Sequence, residues 1–184
     1  MKKGIFLLLW FITFSLSATT YYVATNGNNS NPGTLASPFL TFQKGISVAH
    51  AGDTVYFRGG TYDTNYIINY YPGAANGGYD GTAENPVCFF NYPGETPIFD
   101  FTNQPIYGTQ QGLICRNVDY AYFYGLTFRN IITSDSEPVA VDGDAVIMCY
   151  GVYITNSTNI TFENCKVHNI TGSGFKIYGG DRGL

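Results

Sequence analysis

The sequence predicts an all-β fold, a parallel β-helix (solenoid) whose short strands stack coil upon coil behind an N-terminal capping α-helix. Three observations predict it. The segment GLICRNVDYAYFYGLTFRNI (112–131) recurs as GVYITNSTNITFENCKVHNI (151–170) at a spacing of 39 residues, which sets Phe123, Leu126, Phe128 and Asn130-Ile131 on Phe162, Cys165, Val167 and Asn169-Ile170. A shorter echo, GFKIYGG (174–180), aligns Gly174-Phe175-Lys176-Ile177 with Gly151-Val152-Tyr153-Ile154 at a spacing of 23. The difference of 16 residues is about the length of the polar stretch between Ile132 and Met148, so one coil of about 23 residues recurs, once with an insertion. Helical periodicity is absent from this half, which excludes an α/β reading.

The elements follow from the N-terminus. Lys2 and Lys3 precede an apolar run from Ile5 to Leu16, with small residues at Ser15, Ser17 and Ala18. This is the layout of a bacterial-type signal peptide over 1–18, too short to span a bilayer, and it predicts export to the medium or cell surface with no membrane contact after its removal. Residues 19–53 are expected to cap the solenoid. Within them Ser37 suits an N-cap, Pro38 the first helical position and Gly52 the C-terminal cap, and Phe39, Phe42, Ile46 and Ala49 share one face. That helix is expected to cover the open edge of the first coil. Coils then run over 54–184, about five of them at roughly 4.8 Å per step. TVYFRGGTY (54–62) and PVCFFNYPGETPIFDF (86–101) each read as strand, corner, strand. Between them NYYPGAANGGYDGTAENP (69–86) is a loop too long for a corner.

Alternation along each strand points Val152 and Ile154 inward with Tyr153 outward, and Phe175 and Ile177 inward with Lys176 outward. Coil stacking then puts Leu113, Val152 and Phe175 in one column and Cys115, Ile154 and Ile177 in the next. Corner asparagines tolerate left-handed backbone angles and hydrogen-bond between coils. The sequons at Asn28, Asn156, Asn159 and Asn169 are read in that structural sense.

The 184 residues carry a net charge of −4, with 16 Tyr and 14 Phe. Without residues 1–18, seven Lys and Arg face 13 Asp and Glu, a net of −6. No basic cluster remains, which argues against nucleic acid. An aromatic, sparsely charged surface suits sugars, although Tyr and Thr are also good strand formers. Cys88, Cys115, Cys149 and Cys165 match no metal knuckle. Three of them lie in apolar runs where a thiol serves as a small buried hydrophobe, and two disulfides are also possible.

AGDTVYFRGGTY (51–62) resembles a phosphate loop only in its glycines, since it lacks the Lys-Ser/Thr ending. Together with the preceding residues it carries a different likeness. Asn26-Gly27, Asn31-Pro32-Gly33-Thr34, Ser37-Pro38, Gln43-Lys44, Gly52-Asp53-Thr54 and Arg58-Gly59-Gly60-Thr61-Tyr62 make 21–62 similar to the entry segment of secreted right-handed parallel β-helix proteins, above all the family 9 pectate lyases. The resemblance implies a right-handed solenoid and β-elimination on a uronic-acid polysaccharide. It also implies Ca²⁺ held by an aspartate cluster and a lysine as base, and a monomer acting on an acidic polysaccharide.

Few residues answer to that chemistry. Lys176 and Arg182 are the candidates for catalysis, Tyr153 for substrate binding, and Asp181, Asp142 and Asp144 for calcium. The insertion SDSEPVAVDGD (134–144) also holds Asp135 and Glu137, but not the twelve-residue calcium-loop pattern. The competing reading of the charged candidates is ordinary solvated surface, and His50 and His168, unpaired with any nucleophile, read as structural. The chain stops at YGGDRGL in mid-coil, so it is expected to be an N-terminal piece whose aspartate cluster and lysine lie further on. The leading function is a calcium-dependent polysaccharide lyase. The alternative is a non-catalytic β-helix module for surface glycan binding or adhesion. A glycoside hydrolase would need two facing carboxylates, and no such pair falls on aligned outward positions.

Overall fold

A computed structural model describes residues 18–105, 110–132, 140–141, 144–145 and 149–179. The elements are β1 (Thr20–Val23), α1 (Phe42–Val48), β2 (Thr54–Phe57), β3 (Gly60–Asp63), β4 (Ile68–Tyr70), β5 (Val87–Asn91), β6 (Pro97–Asp100), β7 (Gln110–Arg116), β8 (Asp119–Tyr124), β9 (Thr127–Ile131), β10 (Ala140–Val141), β11 (Asp144–Ala145), β12 (Cys149–Thr155), β13 (Thr158–Glu163), β14 (Lys166–Ile170) and β15 (Ser173–Tyr178). Apart from the β10–β11 hairpin, every strand-to-strand pairing among the described residues is parallel. Sheet 1 is ordered β1-β2-β5-β8-β13, sheet 2 β3-β6-β9-β14 and sheet 3 β4-β7-β12-β15. The chain visits sheets 1, 2 and 3 in turn and repeats, which is a parallel β-solenoid. It makes four full coils rather than five, with β1 as an extra leading strand on sheet 1.

The predicted register holds. Val152 pairs with both Leu113 and Phe175, and Ile154 with both Cys115 and Ile177. Phe162 sits on Phe123, Val167 on Phe128 and Ile170 on Ile131. Inside, the columns become ring stacks. Phe89, Phe123 and Phe162 stack at 5.1 and 4.5 Å, and Tyr62, Phe99 and Phe128 at 5.0 and 5.4 Å. The four cysteines form no disulfide, and Cys115 and Cys149 are buried.

The corners obey the 39-residue period down to the backbone. Asn117 and Asn156, Gly125 and Asn164, and Asn130 and Asn169 all have positive φ, and Asn169 donates across coils to Asn130 at 3.0 Å. Tyr120 (φ 55°) occupies the left-handed place that Asn159 (φ 54°) takes one coil later. A tyrosine pays roughly 1–2 kcal/mol there that asparagine largely avoids. Tyr120→Asn is therefore expected to stabilise the fold by about 0.5–1 kcal/mol, seen as a higher urea midpoint at unchanged slope.

The helix is shorter than predicted. Its N-cap is Thr41, whose hydroxyl accepts from the Lys44 amide, and its C-cap is Ala49. Ser37, Pro38 and Phe39 stay extended because other partners claim their backbone. Phe39 donates to Tyr22 O at 2.8 Å, Asn31 donates to Pro38 O at 2.9 Å, and Asn29 accepts from the Leu40 and Thr41 amides. Gly52 lies beyond the helix in a turn at φ 87°. The helix does cap the first coil, on sheet 3, where Gln43 pairs with the Asn69 backbone of the edge strand β4, while β1 covers the edge of sheet 1. Phe42 plugs the lumen, its ring 4.3 Å from Phe57 and 4.8 Å from Phe99. Among the described residues no helix is long and apolar enough to cross a membrane.

AGDTVYFRGGTY is scaffold throughout. Asp53, buried, accepts from the Thr19 and His50 amides at 2.7 and 2.9 Å. Arg58 holds Glu95 through both carboxylate oxygens at 2.8–3.0 Å, and Tyr62 donates to the Val23 and Arg58 carbonyls. The long loop after β4 is docked rather than free. Gln43 brackets the Asn69 backbone and reaches Asn76 O, while His50 stacks on Tyr79 at 3.7 Å.

On the outer face of sheet 2, Asp100 accepts from the Thr102 amide and hydroxyl, Asn130 and Arg129 at 2.6–3.0 Å. Burial pushes this carboxyl up, but those donors outweigh it and hold it down at about 2, against an ordinary 3.8. A depressed carboxylate stabilises the fold above its unfolded pKa and loses that contribution as pH falls through the folded one. Asp100→Asn is thus expected to cost about 1–2 kcal/mol at neutral pH, with the gap from wild type closing between about pH 4 and pH 2 in urea titrations.

Candidate functional site

The site is built on the outer face of sheet 3, where sequence reasoning placed Lys176 and Tyr153. Alternation along β4, β7, β12 and β15 turns one residue per strand outward in register. Asn69 pairs with Ile114, Ile114 with Tyr153, and Tyr153 with Lys176. Tyr153 and Lys176 are therefore strand neighbours, about 4.8 Å apart along the solenoid axis. The next outward row is Arg116, Thr155 and Tyr178.

The rings on this face are held. Tyr153 lies parallel to Tyr150 at 5.2 Å and 16°, half-buried, presenting a flat aromatic surface. Arg116 stands over the Tyr71 ring at 5.7 Å, which fixes the guanidinium at the rim by a cation–π contact. Lys176 is exposed and makes no ion pair among the described residues.

Charge is divided among the three faces. The strands of sheet 3 carry Arg116 and Lys176 and no carboxylate. Those of sheet 1 carry Asp119 and Glu163 and no Lys or Arg. Sheet 2 is mixed, with Asp63, Asp100, Arg129 and Lys166. In a chain of net charge −4, sheet 3 is the face on which an anion meets least repulsion.

Of the predicted residues, the structure brings Lys176 and Tyr153 together. Asp142, Asp181 and Arg182 lie outside the described residues, as do Asp135 and Glu137. Asp144 pairs through its backbone with Val141 in the β10–β11 hairpin. Among the described residues no three of His, Cys, Asp and Glu stand close enough to share an ion. His168 is exposed on sheet 2 beside Arg129. Arg116 was not singled out from the sequence. Its signal was the 39-residue register itself, which places it on Thr155 in an outward row.

Comparisons with known proteins bear on the family and the fold. The model for Pel9A-like, right-handed β-helix regions matches residues 21–183. Pectate lyase PEL9 of Emericella nidulans is 27% identical over 172 residues, covering 88% of this chain and 36% of that protein. Pectate lyase L of Paenibacillus polymyxa is 32% identical over 163 residues, covering 89% of this chain and 31% of that protein. Among solved structures, a rhamnogalacturonan lyase superimposes with a TM-score of 0.67 at 23% identity, covering 88% of this chain and 38% of the other, a likeness of fold. The chain spans about a third of the length of the curated relatives it matches.

Proposed function

The chain belongs to the Pel9A-like right-handed β-helix family, and from that premise we propose that the protein is an exported, monomeric polysaccharide lyase that cleaves a uronic-acid polysaccharide such as pectate by calcium-dependent β-elimination. The observation that carries this reading is the face of sheet 3, with Lys176 and Arg116, the Tyr153 platform and no carboxylate on its strands. The pectate lyases among its relatives supply the reaction class.

β-Elimination removes the proton on the carbon next to a uronate carboxylate and expels the glycosidic oxygen one carbon further along. The base must reach that proton while positive charge steadies the carboxylate. Lys176 is the group on this face able to take the proton, once its ammonium has been deprotonated. Arg116, always charged, faces a neighbouring carboxylate, and Tyr153 carries the apolar face of a sugar ring. Calcium enters this reading through the family alone. When bound it would neutralise substrate carboxylates, and no step here is routed through it.

The test is the appearance of unsaturated uronide absorbance from polygalacturonate, with and without a calcium chelator. Product that the chelator abolishes supports the reading. No product from folded protein on polygalacturonate or rhamnogalacturonan would sink it in favour of a glycan-binding module.

A further inference from the structure

A second surface lies outside that reading, on the outer face of sheet 1. Tyr22, Tyr56, Phe90 and Tyr124 form one in-register row across β1, β2, β5 and β8, at an even spacing of 34 residues. Tyr92 and Tyr122 flank it. The rings touch along its length: Tyr22 and Tyr56 at 6.0 Å, Tyr56 and Phe90 at 6.2 Å, Phe90 and Tyr124 at 6.0 Å, and Phe90 and Tyr122 at 5.1 Å. These positions point away from the lumen, whose packing is supplied by Val55, Phe89 and Phe123 on the same strands. An outward strand position requires no aromatic residue, and Phe90 has no polar edge to offer water.

We propose that this row is a glycan-binding surface, separate from sheet 3, for a neutral, ribbon-like polysaccharide lying along the solenoid axis. Three observations select that occupant. Tyr56, Phe90, Tyr122 and Tyr124, with Asn91, Pro93 and Gly94 at the corner, line a groove of about 500 Å³. Successive rings stand 6.0–6.2 Å apart, of the order of the advance of one sugar in an extended chain, and with the Phe90 ring turned 64° from Tyr56 and 75° from Tyr124 they offer the chain ring faces and edges in alternation. The charge is wrong for a uronate polymer. Glu163 and Asp119 are the charged residues of these strands, Glu163 accepts from the Tyr122 hydroxyl, and the nearby Arg58 is locked on Glu95. A neutral chain with apolar ring faces and hydroxyl edges meets neither repulsion nor an unpaired charge. A β-1,4-linked glucan or xylan has that form.

The experiment is isothermal titration of the full chain with cellohexaose, xylohexaose and hexagalacturonate at low and high salt. At least one neutral hexaose is expected to bind with an affinity that salt leaves unchanged, and which of the two binds identifies the chain type. Tyr56→Ala/Tyr124→Ala is expected to weaken that binding about tenfold or more, while Lys176→Ala leaves it intact. Tyr56→Leu/Tyr124→Leu, which keeps apolar bulk on the sheet, should lose binding with its urea midpoint preserved, separating a ligand surface from rings that only brace the strands. Absence of binding by both neutral hexaoses overturns the proposal. So does binding that both double variants retain, or that hexagalacturonate displaces. Because the lyase assay reads sheet 3, either proposal can fail alone.

Discussion

Replacing Lys176 with alanine is expected to lower turnover of polygalacturonate by about 10²–10⁴-fold, the usual worth of a positioned proton acceptor. The loss should fall on kcat, with KM changed much less. Lys176→Arg decides why. Arginine keeps the positive charge and much of the length but stays protonated at any working pH, so it can hold a carboxylate and cannot accept a proton. A base at this position predicts that both variants are inactive. A carboxylate contact predicts that alanine raises KM while arginine restores it, which would move Lys176 from catalysis to binding. Full activity in the alanine variant, measured by unsaturated product, removes Lys176 from the site altogether.

How much of this was legible in the sequence depended on where the repeat was clean. The last two coils share a 39-residue period, and there the reading reached individual pairs, down to Val152 on Leu113 and Ile154 on Cys115. The first two coils carry different loops between similar strands, so the coil count was one too high. The helix boundaries failed for a tertiary reason. Ser37-Pro38 is a sound local start signal, but Asn29 and Asn31 reach across from a preceding loop and hold residues 38–41 extended, which no local rule anticipates. The aromatic row of sheet 1 was present as a 34-residue period. It is carried by a single outward position per coil, without a repeated flanking pattern, and became visible only once the strands were paired. Lys176 and Tyr153 were found by alternation and stacking, and Arg116 needed the same register applied to the chemistry of the face rather than to the core.

The segment the helix prediction misplaced also sets the largest expected effect on stability. A solenoid's first coil has no preceding coil to fill its lumen, so its inner side chains would face water. Here Phe42, 1% exposed, drops from the first turn of α1 into that opening and meets rings from both sheet 1 and sheet 2: Phe57 at 4.3 Å, Phe99 at 4.8 Å and Phe89 at 5.6 Å. Two of the three walls it closes therefore meet it with aromatic rings, and rigid rings cannot collapse onto the space left by truncation. Phe42→Ala should cost about 3–5 kcal/mol, near the top of the range for a buried phenylalanine. Phe42→Leu, which keeps most of the volume, should cost distinctly less. The measurement is urea unfolding together with amide exchange on β2 and β3, the strands beneath the plug. If the helix instead rests on the solenoid without closing it, alanine and leucine will give equal, small losses and the exchange of β2 and β3 will not change.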